Sequence, residues 1–459
     1  MTENTIREST DDAYALKTDL VGAVLAAIEE DSQLTLLQLF EDLHEADIAD
    51  LIEQIGAEHR RRLVLLWGDH VDGDVLSELE EGVRDEIMEA TPDDVLAEAV
   101  KDLDTDDVVY LVEDLDTPQK EKLLGSLDIA DRVAVEQSLQ YEEDTAGRLM
   151  QRELVMSPSH WSVGDAIDFM RASEDLPEDF YDVIVVDASL HPIGTVPLSR
   201  IMGAPRGATL QSLMHEDFRV IPVDQSQEDV AYAFNQYHMV SAPVVEGTGR
   251  LVGVITIDDA MEILEDEAEE DMNRLAGLSD EEDLSSRVWK TTRSRFPWLG
   301  VNLFTSILAS IVIAQFAGTI EAIVALAVLM PIVASLGGNA GTQTLTVAVR
   351  AIATRDLTPA NARRIVLREF LVGTANGIVF ALIIGVIGFL WYDSVMLGLV
   401  LGLAMIGNMI AAGLAGILIP IGLDKLGADP ALASGAFVTT VTDIVGFFAF
   451  LGLASAMLL

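Results

Sequence analysis

The stretch "SGAFVTTVTDIVGFFAF", residues 434–450, is almost wholly apolar and carries a carboxylate, Asp443, at its centre. An Asp in the middle of a membrane helix costs about 2.5–3.5 kcal/mol on insertion scales. Such residues mark ion paths or proton relays. At helical spacing Thr439 lies one turn before Asp443 and Gly446 about one turn after, and Leu432 with Gly435 or Ala436 extends the stripe. That side is small and polar, unlike the flanking Phe437, Phe447 and Phe448. A structural reading of Asp443 needs a cation on a neighbouring helix, yet no Arg, Lys or His occupies the middle of any long apolar run. A single Asp per chain, doubled by a two-fold axis, suits Mg²⁺, which holds its waters tightly and binds through one or two carboxylates. Na⁺ and H⁺ stay open on this reasoning.

The elements that must position Asp443 are five apolar runs near the 20 residues needed to cross a bilayer: 297–316, 322–349, 367–391, 395–421 and 431–455. Basic residues alternate between their links. Lys290, Arg293 and Arg295 precede the first run, Arg350, Arg355, Arg363, Arg364 and Arg368 cluster between the second and third, and Lys425 follows the fourth. By the positive-inside rule the N-terminal part is expected in the cytoplasm and the C-terminus outside a plasma membrane. The second run holds "ASLGGNAGTQT", with Asn339 and Gln343 on one face, and the fourth holds Gly402, Gly407, Asn408, Gly413 and Gly416. Small residues at such spacing let membrane helices approach closely. Asn339 is thus a candidate lining residue beside Gly435 and Leu432.

The chain has 459 residues, half of them hydrophobic, and a formal charge of −48. Residues 297–459 carry six Lys/Arg against seven Asp/Glu, so nearly all the negative charge precedes them. An acidic surface of this strength excludes nucleic acid as a partner. It has two remaining readings, adaptation to a salty cytoplasm or binding of divalent cations. There are no cysteines, so thiol chemistry and Cys-metal sites are excluded. The N-terminus shows no basic-then-apolar leader pattern, as expected of a cytoplasmic segment.

Within the acidic part, residues 141–207 and 208–264 form an internal repeat. "LMQRELVMSPSHWSVGDAIDFM" answers "LMHEDFRVIPVDQSQEDVAYAF", and each leads to two short apolar strands around a Gly turn. The implied order is strand, helix, strand, strand, helix, twice. It resembles a pair of CBS domains, which implies a ligand-sensing module. In the second copy Thr256 and Asp259 match the T-x-x-D pattern with which some CBS pairs hold an adenosine ribose, which implies ATP; the other reading is a turn that caps the next helix. Residues 1–140 read as short helices with acidic starts, expected to stack as helical hairpins, and the acids there complement helix dipoles. Residues 265–295 join the two parts. Six of the seven residues 265–271 are acidic, a block expected to lie on a solvated face.

With "YEEDTAGRLM", "GGNAGTQ", "AIATRDL" and "DPALASGAFVTTVTDIVGF", the whole chain resembles the MgtE family of magnesium channels. The resemblance implies an acidic helical N-domain, tandem CBS domains, a connecting plug helix and a five-span membrane domain (296–459), assembled as a homodimer in lipid. It also implies that spans two and five line the pore, with the pore carboxylate at Asp443 and a backbone ligand at Thr439. It further implies closure by cytosolic Mg²⁺ at Asp259, Glu262, Glu267, Glu270, Asp271 and Asp429. Mg²⁺ would then be both cargo and regulator. An ion-pumping ATPase is disfavoured, because no G-x-x-x-x-G-K-[ST] loop occurs and "DKLGAD" lacks the threonines of the pump motif. A CBS-regulated, ion-coupled cation carrier is the remaining alternative, and no enzymatic activity is expected.

Overall fold

The computed structural model describes residues 18–101, 103–113, 115, 117–173, 176–177, 180–278, 288–432 and 435–459. Residues 1–17 and, within the connecting segment, 279–287 lie outside the described residues. The chain forms two compact units, 1–265 and 266–459.

In the first unit, ten short α-helices run from Thr18 to Ser138 among the described residues. Most begin with an acidic residue in the first turn, as in Glu45–Gln54, Asp93–Ala99 and Thr105–Glu113, where a carboxylate meets the positive end of the helix dipole. Their apolar faces share one continuous core that includes Ile28, Leu51, Leu63, Leu76, Ile87 and Leu111. The helices therefore stack on one shared core. Burial of a Leu or Ile contributes about 1.5–3 kcal/mol, and no helix of this length is stable alone.

Two three-stranded sheets follow. In the first, β1 (Met156–Pro158) pairs parallel with β2 (Asp182–Val186), and β2 pairs antiparallel with β3 (Pro192–Pro197). In the second, β4 (Ile221–Pro222), β5 (Ser241–Val245) and β6 (Leu251–Thr256) repeat that order and even the register shift in the middle strand. Each helix after the first strand starts at a Ser whose hydroxyl accepts from the amide three residues on, Ser162 from Asp165 and Ser226 from Asp229. The copies exchange chain. Gln151, ahead of β1 in the first copy, bridges Val254 in β6, and His215, ahead of β4 in the second, bridges Thr195 in β3. The internal repeat is a CBS pair, closed by pseudo-symmetric exchange.

After β6 the helix Ile257–Ala276 runs on for 20 residues. In the second unit five helices are long and apolar enough to cross a membrane: Thr291–Gln315, Ala325–Ala353, Ala362–Tyr392, Val395–Lys425 and Gly435–Leu458, here spans one to five. Span four is the most enclosed of the five and span one the least.

Helix ends differ from the sequence expectation for physical reasons. Span three starts at Ala362 rather than 367, because Thr358 N donates to Asn361 Oδ1 and closes a turn ahead of it. Arg363, Arg364 and Arg368 therefore lie on the helix itself, where Arg is a good helix former. Arg350 lies in the last turn of span two, the favourable end for a cation. The link "AGTIE" lies within a short helix, Ala317–Ala322. Span five starts at Gly435, after a separate 3₁₀ turn, Pro430–Leu432. Leu432 is half exposed on that turn, so the helical spacing that linked it to Asp443 does not hold.

Candidate functional site

Span two presents two different sides. Gly337, Gly338 and Gly341 are buried, whereas Ser335, Asn339, Thr342, Gln343 and Thr346 are exposed. The glycines take the close approach of spans four and five. A Cβ on Gly341 would stand 2.5 Å from Val438 Cγ1, and one on Gly338 would stand 3.3 Å from Thr439 Cγ2. On the other partner, a Cβ on Gly416 would stand 2.6 Å from the Gly341 carbonyl oxygen. Side chains at these positions would push the helices apart, which is why the sequence is glycine-rich there.

Span five meets this seam with Val438, Thr439, Thr442 and Gly446. Thr442 is fully buried and donates to the Thr439 carbonyl at 2.9 Å. Thr439 donates to the Ala436 carbonyl at 3.1 Å. Gly435 lies beside Thr342, whose Oγ1 would be 3.7 Å from an added Cβ. Asp443 is half-buried on the same helix, and among the described residues no hydrogen bond or ion pair engages its carboxylate. Thr439, Gly435 and Asp443 thus share one helix against span two, and Asn339 belongs to the exposed polar stripe next to that contact.

The acidic residues fall into two groups, one in each unit. In the first unit Asp259 Oδ2 accepts from Thr256 Oγ1 at 2.7 Å and from Thr256 N at 3.2 Å. The T-x-x-D residues thereby cap the helix Ile257–Ala276. Asp259 also faces the first turn of the helix Thr105–Glu113. Burial, then Asp259, Asp107, Asp104 and Glu153, raise the Asp106 carboxyl well above its usual range. Asp107 is pushed up to about 7 by burial and then by Asp259, Asp104, Asp74 and Glu262. Asp259 itself is raised by burial, against the lowering effect of its Thr256 hydrogen bonds. Glu153 holds the same helix start, accepting from Thr105 N at 3.1 Å and Thr105 Oγ1 at 2.6 Å. Hard carboxylate oxygens suit Mg²⁺, yet among the described residues no three His, Asp or Glu side chains converge tightly enough to hold a metal ion. The group is a crowd of like charges, not a formed coordination shell.

Asp106 and Asp107 escaped the sequence reading. Their string, "LDTDDVVYLVEDL", has the ordinary look of a capped helix, and only the fold brings it to Asp259, about 150 residues away.

In the second unit Glu267, Glu270, Asp271 and Arg274 are half-buried on one side of the connecting helix. Arg274 pairs with Glu270 and donates to Asp429 Oδ2 at 2.5 Å. Asp429 Oδ1 accepts from Ala431 N at 2.7 Å, capping the turn that leads to span five. Glu270 and Asp429 are therefore brought together, around a guanidinium that the sequence reading had passed over. Nearby, Gly277 has φ +76°, and its Cα side is closed by the Trp298 indole. Trp298 in turn stacks edge-on with Phe437 at 6.0 Å.

Comparison with known proteins places this arrangement. The model of the divalent cation transporter family MgtE matches residues 330–453, that of the MgtE intracellular N domain matches 43–144, and that of the CBS domain matches 210–266. The magnesium transporter MgtE of Bacillus subtilis is 30% identical over 444 residues, 96% of this chain and 98% of that protein. The magnesium transporter MgtE of Thermus thermophilus is 30% identical over 447 residues, 94% of this chain and 97% of that protein. A crystal structure of the cytosolic domain of the Mg²⁺ channel MgtE in complex with ATP is 29% identical, covers 53% of this chain and 99% of that one, and has a TM-score of 0.49. With its helical N domain, CBS pair and five membrane-length helices, the chain belongs to the MgtE family of magnesium transporters.

Proposed function

We propose that the chain forms a homodimeric, Mg²⁺-selective channel in the plasma membrane that admits Mg²⁺ and is shut by cytosolic Mg²⁺. The observation that carries this reading is the pairing on spans two and five. An unpartnered carboxylate, Asp443, lies on the helix packed against span two, whose stripe from Ser335 to Thr346 is polar and exposed. Polar side chains facing lipid are costly, so they turn to a protein partner or a water-filled path. A second copy related by two-fold symmetry supplies both. The two Asp443 carboxylates then flank a conduit for a hydrated dication, with Thr439, Gly435 and Asn339 on its wall. The Mg²⁺ transport named for the relatives is the activity this wall fits.

Closure follows from the acidic groups. Burial and the surrounding carboxylates of Asp104, Glu153, Asp259 and Glu262 make Asp106 and Asp107 costly to ionise when no dication is present. Cytosolic Mg²⁺ neutralises that repulsion and stabilises the packed arrangement; its loss loosens it. Glu267, Glu270, Asp271 and Asp429 extend the response along the connecting helix to the start of span five. ATP at the CBS pair would act beside Thr256 and Asp259, tuning the same helix start.

Flux into proteoliposomes at varied internal Mg²⁺ tests the proposal. Wild type carries Mg²⁺ down its gradient without a co-ion, and internal Mg²⁺ suppresses the flux. Asp443→Ala abolishes it while folding is retained. Normal uptake by Asp443→Ala would refute the conduit, and an obligatory co-ion would establish a carrier instead.

A further inference from the structure

Span four holds one polar side chain that nothing in the transport scheme uses. Asn408 is fully buried. Its Nδ2 donates to the Val333 carbonyl of span two at 2.9 Å. The Asn408 side chain fills the space in front of Gly337 in span two and Gly446 in span five. A Cβ on Gly446 would stand 2.8 Å from Nδ2, and one on Gly337 would overlap it. One amide therefore touches both spans of the proposed conduit, three residues along span five from Asp443.

Stability alone does not account for this residue. Asn408 Oδ1 is buried without a hydrogen-bond partner, which costs about 1–3 kcal/mol. An apolar side chain of the same shape would avoid that cost. What the amide adds is direction. The Val333 carbonyl has a second lone pair, and the bond to it fixes one rotation of span two about its axis. The glycine gap fixes how closely span five can lie. A van der Waals seam of small residues does neither, because it tolerates rotation and sliding.

We propose that Asn408 is the positioning residue of the ion path. Through Val333, Gly337 and Gly446 it sets the rotation of spans two and five against each other, and hence the spacing of Asn339, Thr439 and Asp443. The inference rests on the reading of Asp443 as a conduit residue. Misplacing the groups that meet a hydrated ion by a fraction of an ångström alters which ion fits, while leaving the bundle folded.

The test uses the full chain in proteoliposomes, with Mg²⁺ and Ca²⁺ flux measured per folded molecule and thermal melting measured alongside. Asn408→Ala opens a gap, and Asn408→Ala with Gly446→Ala refills it from the opposite helix. The double variant is expected to melt near wild type, yet to conduct Mg²⁺ at least about tenfold more slowly and to discriminate less against Ca²⁺. Asn408→Leu, similar in shape but without the donor, is expected to show the same loss of discrimination and covers the case in which the alanine variants do not fold. Wild-type Mg²⁺ flux and discrimination in the double variant or in Asn408→Leu would overturn the proposal. Full activity of Asp443→Ala in the same assay would instead overturn the conduit reading on which it rests.

Discussion

Replacing Asp107 by Asn should stabilise the Mg²⁺-free protein by an amount that grows as pH rises from about 4 to about 7 and is complete above that. Asp107 titrates at about 7 in the fold against an ordinary 3.8, a difference of about three pH units, or about 4 kcal/mol. A carboxyl raised in the folded state gives stability that is complete below its unfolded value. That stability fades as pH rises and is gone above the folded value. Wild type is therefore expected to weaken between about pH 4 and 7. Asparagine removes the charge and keeps the shape. Two effects reduce the gain. Asp104, Asp106 and Asp259 share the repulsion and relax together, and a first-turn acid lost from the helix Thr105–Glu113 costs about 0.3–1 kcal/mol. The net expectation at pH 8 is about 2–3 kcal/mol, or roughly 4–10 °C in the melting of a unit this large. The assay is thermal melting of the detergent-solubilised chain at pH 5 and pH 8, with and without Mg²⁺. Mg²⁺ should raise the melting of wild type more at pH 8 than at pH 5, and should do less for Asp107→Asn. Equal melting of the two proteins at pH 8 without Mg²⁺ would refute the argument that these carboxylates strain the closed packing.

Neutralising Glu267, Glu270 and Asp271 together should move the internal Mg²⁺ needed to halve the flux to higher concentration by about tenfold, a coupling of about 1.4 kcal/mol; an unchanged inhibition curve would remove them from the sensor. Arg274→Gln leaves Glu270 and Asp429 facing each other without their shared cation, so flux in Mg²⁺-free buffer should rise about two- to fivefold, as read by the same vesicle assay. Gly416→Val should lower thermal stability by about 1–3 kcal/mol through overpacking, because even a Cβ would stand 2.6 Å from the Gly341 carbonyl. Gly407→Ala faces open space and should leave melting and flux unchanged, so equal behaviour of the two glycine variants would show that the seam is not tightly packed.

The legible parts of the sequence were those with a local period. Five apolar runs, the doubled strand and helix order around residues 149–170 and 213–234, and the acidic helix starts all follow from spacing along the chain. Asp443 stood out because it is the one charged residue in the run 431–455. Helix ends were harder, since Arg363 and Arg364 read as a link by charge and form helix by propensity. Relations across the fold were not legible. Asp106 and Asp107 look like dipole acids until Asp259 is placed opposite them. Arg274 looks like one base in an acidic run until Asp429 arrives from 155 residues away. Asn408 was visible as a polar residue among glycines, but its reach to Val333 depends on a crossing of three helices.

The two sides of span two separate what must be kept from what is free to vary. A mutation on the glycine side meets the side chains of Asn408, Val438 and Thr439 at once and is purged with the bundle. A mutation among Ser335, Asn339, Thr342, Gln343 and Thr346 meets open space within the single chain. Ion preference in this lineage can therefore drift by substitution on one edge of a helix, with the scaffold that aligns the path held constant.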